Sequence, residues 1–138
     1  MSTGSNLRSW GLTLLRVVVG VIFVMHGWQK LSMGFQNVAG FLGSVGIPLP
    51  TVAAVVLTLV EFVGGIALIL GVLTRYVASL LAFDMLVALT MVHIKNGFFS
   101  PKGAEFPLLL LVANINLILA GGGALSVSGF RKKTASTV

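Results

Sequence analysis

Three ionisable side chains stand inside otherwise apolar runs of this chain: Arg16 in LLRVVVG, Glu61 in LTLVEFVGG and Asp84 in LLAFDMLVALT. Asn114 and Asn116 add uncharged polar groups to a fourth run, LVANINLIL. A guanidinium and two carboxyls in apolar surroundings can hold and hand over a proton, or grip the polar head of a small molecule. They can equally be a mutual ion-pair network that fixes helix register. One arginine against two carboxylates leaves a surplus negative charge, which one protonated acid would cancel. Glu61, Asp84 and Arg16 are therefore the candidate catalytic set.

The elements that position them must be membrane helices. The chain has 138 residues, 57% hydrophobic and only 9% charged, against about 25% charged in a soluble domain. That leaves too little charge for a water-facing surface and too much apolar content for disorder. Four apolar stretches, about residues 10–28, 51–73, 76–94 and 106–125, approach the roughly 20 residues that cross about 30 Å of hydrocarbon. Backbone groups in lipid must be satisfied within a segment, so each stretch reads as a helix. Phe35, Val38, Phe41 and Leu42 follow helical spacing before Gly46, Pro48 and Pro50 break it, which predicts a short amphipathic helix between helices one and two. Thr74 and Arg75 join helices two and three as a tight antiparallel hairpin. The expected architecture is an all-α four-helix membrane bundle, one domain over 1–138 with a basic tail at 126–138.

Helical rise places the polar groups in one band. Measured from the end where helix one begins, Arg16 lies roughly 9 Å deep, Asp84 12 Å, Asn116 14 Å, and Glu61 and Asn114 17–18 Å. On helix one, Arg16, Gly20, Phe23, Gly27 and Lys30 fall within about 40° of one direction. Glu61 shares its face with Gly64, Gly65 and Leu68. Glycines on the polar faces allow close packing, so these faces point into the bundle.

A second polar layer, including His26, Lys30, His93, Lys102 and Glu105, lies toward the other surface. His26 and His93 sit at similar depth, but a regular helix puts His93 about 180° from Asp84, which disfavours a haem pair. Phe98 and Phe99 are expected to pack their loop. The absence of cysteine excludes thiol chemistry and Cys-ligated metals, and no metal site is expected. The glycine runs at 64–65 and 121–123 lack the lysine of a phosphate loop and read as packing residues or a helix end.

Nine Lys and Arg against three Asp and Glu read as membrane-surface anchors, with Arg131–Lys133 a solvated tail anchor. No basic patch is interleaved with base-stacking aromatics, so nucleic acid is not an expected partner. Arg8, Arg75, Arg131, Lys132 and Lys133 mark one side and Lys30, Lys95 and Lys102 the other, which favours both termini in the cytoplasm. The first span is longer than a signal h-region, is interrupted by Arg16 and His26, and is expected as a retained helix.

Together, LLRVVVGVIFVMHGWQKL, GIPLP, LVEFVGGIALILGVLTRYVASLLAFDMLVALTMVHIKNGFF and EFPLLLLVANINLIL resemble the DoxX family over roughly 12–125. The resemblance implies a four-helix bacterial inner-membrane protein of oxidoreductase association, with recurring polar positions at Arg16, Lys30, Glu61, His93 and Glu105. With Asn114, these are the candidate ligand-binding residues. No cofactor is fixed by the residues; a quinone is the candidate class, with soluble enzymes of oxidative stress or sulfur metabolism as partners. The alternatives are a non-enzymatic membrane scaffold, or a carrier or channel acting as a homo-oligomer because four helices leave little room for a pore.

Overall fold

The computed structural model describes residues 3–127, whose long elements are the helices α1 (Thr3–Met33), α2 (Phe35–Ser44), α3 (Pro50–Leu70), α4 (Thr74–Val87) and α5 (Glu105–Ala120). The basic tail at 131–133 lies outside the described residues. Three helical stretches are long and apolar enough to cross a bilayer; α5 is shorter at 16 residues but equally apolar in character. Leu14, Met25, Val56, Phe83 and Leu109 lie on outer surfaces at 54–68% exposure. Apolar side chains so exposed on every long helix need lipid as their solvent.

Punctuation residues set the helix ends. Gly34, at φ 85°, separates α1 from α2, a conformation that costs glycine little. Pro50 opens α3 in its first turn, where its missing N–H is not needed. Gly71 ends α3 at φ 73°, with its N–H on Leu68 O and that of Val72 on Ala67 O, the paired bonds of a Schellman cap. The α3–α4 turn is therefore Gly71–Leu73. Thr74 and Arg75, expected as the connector, are the first residues of α4, because the glycine cap acts three residues earlier. Likewise α5 stops at Ala120, and Gly121–Gly123 carry the chain away before Leu125.

The predicted short helix is present, but its apolar face is divided. Val38, Ala39 and Leu42 pack with Ala54 of α3, while Phe35 and Phe41 point outward. Beyond α4 the helix continues as a π segment, Ala88–His93, and one 3₁₀ turn, Ile94–Asn96.

The main core joins Val19 and Phe23 of α1, Leu68 of α3, Leu81 and Met85 of α4, and Leu110 and Leu117 of α5. Its closest contact is between backbones. A Cβ added at Gly65 would lie 2.6 Å from Val24 N and 2.7 Å from Gly20 O; one added at Gly27 would lie 2.6 Å from Phe62 N. Gly64, one residue away, would meet only Val77 and Leu81 side chains at 3.4 Å or more. Gly65→Ala should therefore force α1 from α3 and cost about 1–3 kcal/mol, whereas Gly64→Ala should be tolerated. Thermal unfolding of the two variants in mild detergent checks this pair, and equal behaviour would refute the contact.

Candidate functional site

The antiparallel register of α1 and α3 decides which charges meet. Gly20 faces Gly65 and Ile69, and Gly27 faces Phe62. One turn past Gly27, Lys30 reaches Glu61, and Nζ donates to Oε2 at 2.5 Å. Glu61 is 3% exposed and the Lys30 side chain 21%, so the acid is deep while its partner keeps a route to the surface. From α4, the Asp84 carboxyl approaches Glu61 and Lys30. Its Oδ2 is buried and has no hydrogen-bond partner. Three helices thus supply a lysine and two carboxyls to one centre.

Arg16 does not join them, contrary to the depth-based expectation. One turn before Gly20, the same register carries it to the C-terminal end of α3, beside Gly71. There Nη2 donates to Leu125 O at 2.8 Å, and the negative end of the α3 dipole faces the charge. Arg16 is 1% exposed, and a Cβ on Gly71 would overlap its Nη1. The Arg16–Glu61–Asp84 network is replaced by Lys30–Glu61–Asp84, with Arg16 tying the segment after α5 to the end of α3. Lys30 lay on the polar face read from the sequence; what spacing lacked was the sliding register between helices.

The other candidates are dispersed. Asn114 is fully buried on α5, with Nδ2 donating to Leu110 O at 2.8 Å and Oδ1 unpartnered, whereas Asn116 faces outward. His26 shares a 2.9 Å bond with Ile22 O and stacks on Phe106. His93 makes its 2.9 Å bond to Lys102 O. A carbonyl only accepts, so Nδ1 carries the proton in both histidines and Nε2 is the remaining ring nitrogen. The π segment holds more residues per turn than an α-helix, so the 180° separation of His93 from Asp84 expected for a regular helix does not apply. Phe98 and Phe99, expected to pack the loop, form an edge-to-face pair at 54% and 78% exposure.

Glu105 serves that same loop. Its Oε1 accepts from the Ser100 N–H at 2.6 Å, and this bond holds the carboxyl below the usual glutamate range. A lowered value means stability that is present at neutral pH and lost as the carboxylate protonates. Glu105→Gln should remove that part of the pH dependence between about pH 5 and 3, read from melting temperature against pH. At the central cluster, Lys30→Met leaves Glu61 as an uncompensated buried charge and should cost about 3 kcal/mol. Lys30→Met/Glu61→Gln should recover much of this loss in the same unfolding assay.

The DoxX family profile matches residues 11–94. "Putative oxidoreductase CatD" of Bacillus subtilis is 38% identical over 120 residues, covering 87% of this chain and 86% of its own length. "Inner membrane protein YphA" of Escherichia coli is 30% identical over 122 residues, covering 84% and 86%. "Uncharacterized membrane protein Rv3486" of Mycobacterium tuberculosis is 30% identical over 155 residues, covering 97% and 95%. No solved structure matches the chain significantly. With a profile match over more than half its length and a relative at 38% identity across most of it, the chain belongs to the DoxX family.

Proposed function

We propose that the chain is the membrane subunit of a redox system and binds a quinone or similar oxygen-bearing ring at Lys30–Glu61–Asp84. The observation that carries this reading is the orphaned Asp84 Oδ2, a buried polar atom beside Glu61 with no protein partner. Buried polar atoms left unsatisfied are costly, and an oxygen-bearing ligand would satisfy this one. The family relative named a "Putative oxidoreductase" supports the same class of chemistry.

A quinone supplies two-electron, two-proton exchange at its ring oxygens. The chain's own groups would manage the proton. In this reading Glu61 and Asp84 would share one proton between two carboxyls, with the Lys30 ammonium offsetting the remaining negative charge. Asp84 Oδ2 would give a proton to one ligand oxygen or take it back, with the second proton reaching the pair from the surface before the next transfer. Lys30, partly exposed, links the pair to the membrane surface. Electrons would come from a soluble partner docked at the bilayer. Both termini are assigned to the cytoplasm on the balance of basic residues.

The test is extraction of the protein, purified in mild detergent, with organic solvent, followed by mass spectrometry of the extract. Quinone at one equivalent is expected from the unaltered chain, and about tenfold less from Asp84→Asn at unchanged melting temperature. An extract containing only phospholipid would overturn the reading. Glu61→Gln should still fold but lose quinone-dependent turnover; if it unfolds, the cluster is structural.

A further inference from the structure

The end of the bundle where α1 begins, α3 turns into α4 and α5 finishes has a chemistry of its own. It holds an open groove of about 610 Å³, whose walls include Arg8, Thr74, Arg75 and Gly121–Gly123. The sequence has three acidic side chains. Glu61 and Asp84 lie with Lys30, and Glu105 is held in the loop at Ser100. None lines the groove, so no Asp or Glu answers its two arginines. Among the described residues, Arg75 donates to Leu119 O, at 3.5 Å.

Two further features point to an anion. The 14-residue helix α4 starts in the groove with Leu73 at its N-cap and no side-chain cap, so its first N–H groups present positive partial charge there. Thr74, the first residue of that helix, is 6% exposed, lines the groove, and its Oγ1 has no hydrogen-bond partner. A Cβ on Gly122 would fall 2.7 Å from this hydroxyl, so a side chain there would crowd it. Gly121 and Gly123, at φ 86° and 80°, curve the backbone around the same space.

We propose that this groove binds a phosphate-type anion, with Arg8 and Arg75 as charge partners and the Thr74 hydroxyl and the start of α4 as hydrogen-bond donors. Guanidinium forks and helix N-termini both suit phosphate oxygens. The phosphate can belong to an anionic glycerophospholipid or to a soluble phosphorylated solute; the recognition chemistry is shared.

The full chain, delipidated in mild detergent, would be titrated with phosphatidylglycerol mixed micelles, phosphatidylcholine mixed micelles and inorganic phosphate. Thermal unfolding and native mass spectrometry would report binding. Phosphatidylglycerol is expected to stay bound at one equivalent and raise the melting temperature, whereas phosphatidylcholine is not. Arg8→Gln/Arg75→Gln should weaken this by roughly tenfold or more. Lys95→Gln/Lys102→Gln, with the same loss of charge at the other end, should not. Thr74→Val should lose affinity and Thr74→Ser keep it. A response to inorganic phosphate alone, with the same dependence on arginine and threonine, assigns the site to soluble phosphates. No response to either anion, equal loss in both double variants, or equal binding of phosphatidylcholine would overturn the proposal.

Discussion

The backbone contact between α1 and α3 decides where the two interior cations, Lys30 and Arg16, come to rest. Gly20 and Gly65 let the two helices approach until main-chain atoms touch, and Gly27 does the same against Phe62. A contact between backbones cannot slide without colliding with the next side chain, so it sets the register to within one turn. From that register follow two consequences about 21 Å apart along α1: Lys30 meets Glu61 at one end and Arg16 meets the α3 cap at the other. A different choice of small residues would give the same helices with a different electrostatic centre.

The two interior cations are neutralised in different ways. Lys30 has a carboxylate partner and a partly open path to solvent. Arg16 is more deeply buried and relies on a carbonyl and a helix terminus, with Nε and Nη1 left without partners. Lysine is a compact charge at the end of a flexible stem, whereas the arginine fork suits carbonyl-rich ends. The lysine therefore sits between two carboxyl-bearing helices and the surface, while the arginine ties the segment after α5 to the end of α3.

Much of this was legible in the sequence, for reasons that also mark where the reading stopped. Apolar length and charge scarcity required membrane helices, and the grouping of Arg16, Gly20, Gly27 and Lys30 gave the inward face of α1 correctly. The ends at Gly71 and Gly121 were displaced by a few residues, since a glycine at positive φ stops a helix before the apolar run does. Pairing Arg16 with Glu61 failed because depth arithmetic treats each helix as starting at a common plane, whereas glycine contacts set the real offsets. Asp84's proximity to Glu61 was foreseen in kind. The unpartnered Thr74 hydroxyl was not: one threonine at the start of a helix has no sequence signature that separates a cap from an orphan.

The early stop of α5 has a consequence for the surrounding lipid. Its 16 residues give an apolar cylinder of about 24 Å, against about 30 Å of hydrocarbon. Leu109, Val112 and Leu119 face outward along it, so the bilayer must meet that side at the helix's own length. Residues 121–127 fold back under the protein, with Ala124 N–H on Ser9 O and Val127 N–H on Gly71 O, and do not extend the apolar wall. Hydrophobic mismatch is therefore built into one flank of the bundle. Lipid thins beside α5 while α1, with Trp10 and Trp28 both exposed about 27 Å apart, meets a bilayer closer to its ordinary thickness.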